Sequence, residues 1–151
     1  MRAWVTFQTC LSALALGLAL TVPGCHGQAH DATAEEERHD LPVTAEDVRI
    51  LQRADAILSS EAVWNRADTR ECPGSATTFS MFCALQKATI EVIGHYDHRR
   101  AALQEVRFVI EERGREYEHR LMGFNNDPAT SFAEMKRVLG LARERIEKRV
   151  R

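Results

Sequence analysis

Ser131-Phe132-Ala133-Glu134-Met135-Lys136-Arg137-Val138-Leu139 is the stretch whose reading decides the fold of this chain. Ser-x-x-Glu ahead of an apolar series has the form of a capping box. The serine hydroxyl accepts from a free amide of the first helical turn, and the glutamate reaches back to the amide that precedes it. Met135, Val138, Leu139, Ala142 and Ile146 then recur at helical spacing and continue one apolar stripe into the charged end, residues 143–151. Immediately upstream, Asn125-Asn126-Asp127-Pro128 carries turn chemistry and delivers the chain to that helix.

The same pattern extends toward the N-terminus. A third helix is expected to begin near Asp97 and end before Gly114, with Ala101, Leu103, Val106, Phe108, Val109 and Ile110 inward and Glu105 on a wetter side. A second runs from about Thr78 to Ile93 with Phe82, Leu85, Ala88 and Val92 on its inner face, Thr89 as a polar interruption and Gly94 as the stop. The first starts after Thr44, a capping residue ahead of Glu46 and Asp47, and buries Val48, Leu51, Ala54, Ile57 and Leu58. Residues 61–75 have turn residues without a sustained period and read as a long irregular connection. The piece from Tyr117 to Phe124 fits a short helix or an extended segment equally well. The expected fold is therefore all-α, a small bundle of four main helices with a long, disulfide-pinned loop between the first two, forming one domain over residues 43–151.

A chain of 151 residues that is 44% apolar and 28% charged fits one globular domain. Its formal charge of -2 supplies no field toward nucleic acid, which is not expected as a partner. Of 20 basic residues only Lys87, Lys136 and Lys148 are lysines, a skew that by itself points to no binding site.

The N-terminus reads as an export leader over residues 1–24. Arg2 precedes a mainly apolar run from Cys10 to Val22, too short to span a bilayer, which needs roughly 20 residues, and then Pro23-Gly24-Cys25 follows. Val22-Pro23-Gly24-Cys25 resembles the lipobox of bacterial lipoproteins, which implies lipidation of Cys25; with His26 next, the resemblance implies the periplasmic face of the outer membrane. Cleavage after Gly27-Gln28-Ala29 is the alternative and implies a soluble periplasmic protein. Residues 25–42, with His26, His30 and His39 among acidic residues, read as a flexible tether. Export leaves Cys72 and Cys83 as the only cysteines of the mature domain, and an oxidising compartment favours a bridge between them.

Trp64-Asn65, Phe82-Cys83-Ala84-Leu85 and Phe124-Asn125-Asn126-Asp127-Pro128, followed by the capped stretch from Ser131 to Leu139, resemble a domain-of-unknown-function family of small bacterial helical proteins. The resemblance covers residues of about 48–147, implies a helical fold and supplies no catalytic residues.

Chemistry-bearing clusters are few. His95-Tyr96-Asp97-His98, with Glu91 one turn earlier, is the densest set of potential ligands; Asp97 as a helix cap and His95 at a helix end account for it without a metal. No nucleophile motif, phosphate-cradling glycine loop or His-Glu-x-x-His sequence is present, and no cofactor is expected. Trp64, Asn65, Arg66 and Asp68 in one polar loop, and Asn125, Asn126 and Asp127 in another, form a candidate recognition surface if the fold brings them to one face. Trp64 reads first as a core plug and second as an interface anchor. The expected function is a lipid-anchored envelope module that binds or scaffolds through protein contacts, its partner an envelope protein. The alternatives are a periplasmic metal-dependent enzyme or hydrolase, with His95 and His98 as its residues, and an immunity-type toxin inhibitor.

Overall fold

Thr44 and Ser131 start their helices by the same device. Each side chain accepts from a first-turn amide while the acid three residues on, Asp47 or Glu134, accepts from the capping residue's own amide. In the computed structural model, which describes residues 41–151, these starts belong to the first and last of five α-helices. They are α1 Ala45–Ile57, α2 Met81–Ile93, α3 Ala101–Glu111, α4 Arg120–Asn126 and α5 Phe132–Val150, with a 3-10 turn at Glu61–Val63. The leader, Cys10, Cys25 and the histidines of the tether lie outside the described residues.

Among the described residues the all-α class holds, but five helices replace the expected four. The additional one is α4, and its composition explains why the periodicity misses it. Gly123, Asn125 and Asn126 are poor helix formers within seven residues, and only Leu121 and Phe124 supply an apolar face. Tertiary contacts hold it instead: Leu121, Phe124 and Asn125 are all buried. Asn125 and Asn126 therefore close a helix rather than open a turn. The turn begins at Asp127, whose carboxylate accepts from the Ala129 amide at 2.8 Å.

Two helices start later than their patterns suggest. Ser80, not Thr78, caps α2 by accepting from the Cys83 amide. The chain enters α3 at Ala101 rather than near Asp97, which makes a turn in which its carboxylate accepts from Arg99 N at 2.9 Å. Gly94 ends α2 at φ 86°, the left-handed conformation that a side chain disfavours.

The core gathers Ile50, Leu51 and Leu58 with Met81 and Leu85, Leu103, Val106 and Ile110, Phe124, and all five stripe residues of α5. α1 lies against α2 and α5, α5 also against α3, and α4 bridges α3 and α2. The inner faces of α1 and α2 are rotated from expectation. Ile50 is fully buried while Val48 is half-buried, and Met81 and Ala84 are inside while Phe82 and Val92 are partly covered. Thr89 is buried without penalty because its hydroxyl donates to Leu85 O at 2.7 Å.

Two acids are buried as well. Asp47 is 0% exposed and accepts from Thr44 N, from Ala102 N at 3.1 Å and from the Arg100 guanidinium at 2.9 Å, which ties the starts of α1 and α3 together. Glu105, expected on a wet side, is inside against Arg145 and Arg149 of α5 at 3.4 and 3.6 Å. Ionic partners on a neighbouring helix, which periodicity ignores, turn it inward.

Gly123 lets Tyr117 cross α4, because a Cβ built there would lie 2.7 Å from the Tyr117 Cβ. Gly140 in α5 has nothing within 4 Å of such an atom. Gly123→Ala should therefore destabilise by about 1 to 3 kcal/mol through overpacking, whereas Gly140→Ala should stabilise by up to about 1 kcal/mol through helix propensity. Urea unfolding of the two variants checks the opposite signs.

Candidate functional site

The two loops of the candidate recognition surface do meet, and at their junction they turn inward. Asn125 is 0% exposed and its amide uses its full inventory. Its Oδ1 accepts from Trp64 Nε1 at 2.8 Å and from Met81 N at 3.0 Å, and its Nδ2 donates to Asn65 O at 2.9 Å and Asn126 Oδ1 at 3.1 Å. One side chain thus joins α4, the start of α2 and the long connection. Trp64 is 6% exposed and 6.0 Å from the Phe132 ring, so of its two readings the core plug is the one observed.

Around that amide the remaining residues form a tie. Asn126 copies a backbone pairing to the loop, donating to Asp68 O at 2.9 Å and accepting from Asp68 N at 2.8 Å. Asp68 is buried, and its Oδ1 accepts from Arg70 N at 2.7 Å. Arg66 lies over the Trp64 ring at 4.9 Å and donates to the carbonyls of Asp127, Pro128 and Thr130 where α4 has ended. Asp127 accepts from the Tyr117 hydroxyl at 2.7 Å and Arg115 at 3.0 Å; the Tyr117 bond first, then the Ala129 amide, holds its carboxyl below the usual range. Only Arg66 and Asn126 of the set are exposed.

The cluster around His95 does not assemble. Glu91 turns toward Arg53 of α1 and Lys87, and its hydrogen bond to Arg53 is the main reason its carboxyl is lowered to about 2. Among the described residues no group of three or more His, Cys, Asp and Glu side chains is placed to hold a metal ion, and no helix is long and apolar enough to cross a membrane.

Cys72 and Cys83 are bonded, with Cα atoms 5.4 Å apart. Closing a loop of 11 residues stabilises by about 3 kcal/mol on the chain-entropy account. The bridge pins the end of the connection to the first turn of α2 and leaves between them a groove of about 520 Å³, lined by Pro73, Phe79, Gln86, Lys87, Ile90 and Glu91 among others. Ile90 is 44% exposed, and the Gln86 Oε1 is buried without a hydrogen-bond partner. Sequence reasoning missed this groove. The signal for it was Ile90 standing outside the inner face of α2, beside a glutamine one turn away.

A model described as Family of unknown function (DUF6197) matches residues 42–145. No curated protein and no solved structure matches the chain.

Asn125→Leu keeps the branched four-atom skeleton of the side chain but strands the Trp64 and Met81 donors and the Asn65 carbonyl. It should cost on the order of 3 to 5 kcal/mol, while Trp64→Phe, which leaves Asn125 its other partners, should cost about 1 kcal/mol beyond any packing loss. Denaturant midpoints of the two variants test that order.

Glu91 is a depressed acid, so its contribution is present above the ordinary value of 4.5 and lost as pH falls through about 2. The stability gap between wild type and Glu91→Gln should be flat above that ordinary value and vanish toward the lower one. At this exposed position the gap is no more than about 1 kcal/mol.

Proposed function

The chain belongs to the family of unknown function DUF6197, and we propose that it is an exported helical binding module, lipid-anchored at Cys25, whose groove between the disulfide-pinned connection and α2 docks an envelope protein partner. The carrying observation is the groove itself. It joins an exposed apolar side chain, Ile90, to a buried acceptor without a partner, Gln86 Oε1, and has the Lys87 and Glu91 charges beside them. A buried carbonyl left unpaired is costly, and turning the Gln86 side chain into the groove would let a donor on a docked chain pair it while covering Ile90. That combination of an apolar contact with a fixed polar one suits recognition of a protein segment.

Export is supported by the order of charged, apolar and small residues ahead of Cys25 and by a disulfide whose chemistry belongs to oxidising compartments. Lipid attachment would place the module at a membrane face without a spanning helix. The metal-dependent alternative has no support from the His95 and His98 region, where Glu91 is committed to Arg53 and Lys87.

Two measurements test the two halves of the proposal. The intact mass of the mature protein from membranes should show an acylated Cys25 and should gain two hydrogens on reduction of the single bridge; an unacylated mature chain beginning after Cys25 sinks the anchor. A photo-crosslinker at Ile90 should capture one envelope protein that the same probe at Arg137, exposed on α5, does not, and Gln86→Leu should weaken the capture several-fold. Equal capture from both positions, or none, removes the groove from the account.

A further inference from the structure

Around Phe82 the fold collects arginines that its own carboxylates do not all balance. A cavity of about 210 Å³ is lined by Arg70, Arg107, His119 and Arg120, with Phe82 and Leu121 among its apolar walls and Glu118 as the one carboxylate in the lining. Several arginines elsewhere face acids: Arg100 meets Asp47, Arg145 meets Glu112, Arg53 meets Glu91. Here only Arg120 does, through Glu111 at 2.7 Å, and among the described residues neither Arg70 nor Arg107 is in an ion pair.

The positions of these guanidiniums are built. Arg107 is half-buried on α3 and donates Nη1 to His98 O at 2.9 Å, which fixes its head group. Arg70 adopts φ 64°, a left-handed backbone unusual for a residue with a side chain, and the Asp68 carboxylate accepts its amide at 2.7 Å. Two residues later the chain is bonded to α2 through Cys72. The guanidinium is thereby carried over the Phe82 ring, 5.7 Å from its centroid. Burial first pushes the Arg107 guanidinium below its ordinary value; the Tyr96 hydroxyl opposes that shift, and the neighbouring Arg120 and Arg70 charges add to it.

We propose that the basin between Arg70, Arg107 and Arg120 binds a phosphate group. A guanidinium presents paired N–H donors in a plane that matches two oxygens of one anion. Three of them around a small cavity suit the peripheral oxygens and double charge of a phosphate monoester better than the two oxygens and single charge of a carboxylate. The Phe82 and Leu121 walls would receive the carbon side of the ester. The arginine-rich composition accounts for how many arginines there are, not for three meeting where acids are scarce.

Titration of the mature protein, followed by amide NMR shifts, tests the site. The probes are inorganic phosphate, glycerol phosphate, acetate and chloride at equal ionic strength, with vesicles of phosphatidylglycerol or phosphatidylcholine as a separate arm. Phosphate or glycerol phosphate should give saturable shifts around residues 70, 107 and 119–122. Binding should weaken at least tenfold in Arg70→Asn, chosen because asparagine tolerates the left-handed backbone, and in Arg120→Gln. The Arg70→Asn variant should melt as wild type does without phosphate, which separates lost binding from lost folding. Saturable binding of the soluble phosphates identifies a solute ligand; binding confined to phosphatidylglycerol vesicles, with the same loss in both variants, identifies a lipid headgroup. An equal response to chloride or acetate, no saturable response in any arm, or retention in both variants would overturn the proposal.

Discussion

The side-chain amide of Asn125 is the interaction on which the arrangement of this domain depends. A buried amide has two acceptor sites and two donors, and each must find a partner or cost free energy. Here all four are used by different parts of the chain, so the Trp64 indole, the first amide of α2, the Asn65 carbonyl and the Asn126 side chain are positioned relative to one another by a single group. Remove it and the connection between α1 and α2 loses its registration on α4. The parallel bridge between Trp64 and Phe79, the one isolated β-bridge among the described residues, extends the same fastening to the other end of the connection.

Buried polar contacts elsewhere act in the same manner at the opposite end of the bundle. Asp47 caps its own helix while it accepts from the Arg100 guanidinium and the Ala102 amide, and Glu105 faces Arg145 and Arg149. Such groups add less net stability than the apolar core, because desolvating them offsets much of their attraction. What they contribute is geometry: a displaced helix would leave a charge buried without its partner. The disulfide completes the set by holding the far end of the connection to α2, where it shapes one wall of the groove.

Legibility in the sequence followed the range of the interaction. The Ser131 capping box, the cap at Thr44 and the whole apolar stripe of α5 were readable, since a cap spans three residues and a stripe repeats along one helix; that Asp47 completes a second box was not read. The pairing of Cys72 with Cys83 was readable because residues 43–151 contain no other cysteine. The existence of α4 was not, since it owes its helical state to contacts with α2, α3 and the connection rather than to its own residues. The inward turn of Glu105 and the diversion of Glu91 away from His95 were hidden for the same reason: their partners are on other helices. The recognition surface read from Trp64, Asn65, Arg66, Asp68, Asn125, Asn126 and Asp127 assembled at one place, but chemistry suited to binding a partner was equally suited to binding the chain itself.

By itself the sequence determined that this is an all-helical domain, where its first and last helices begin, which face of α5 is inside, and which cysteines pair. Those properties depend on neighbours a few residues apart or on counting. Only the tertiary structure decided that there is a fifth helix among the described residues, that the asparagine turn is an interior fastening, and that a groove at Gln86 and a basin of arginines are left open. The fastening and the basin join groups dozens of residues apart, and hydrogen bonds and charge contacts across such distances leave no period in a sequence.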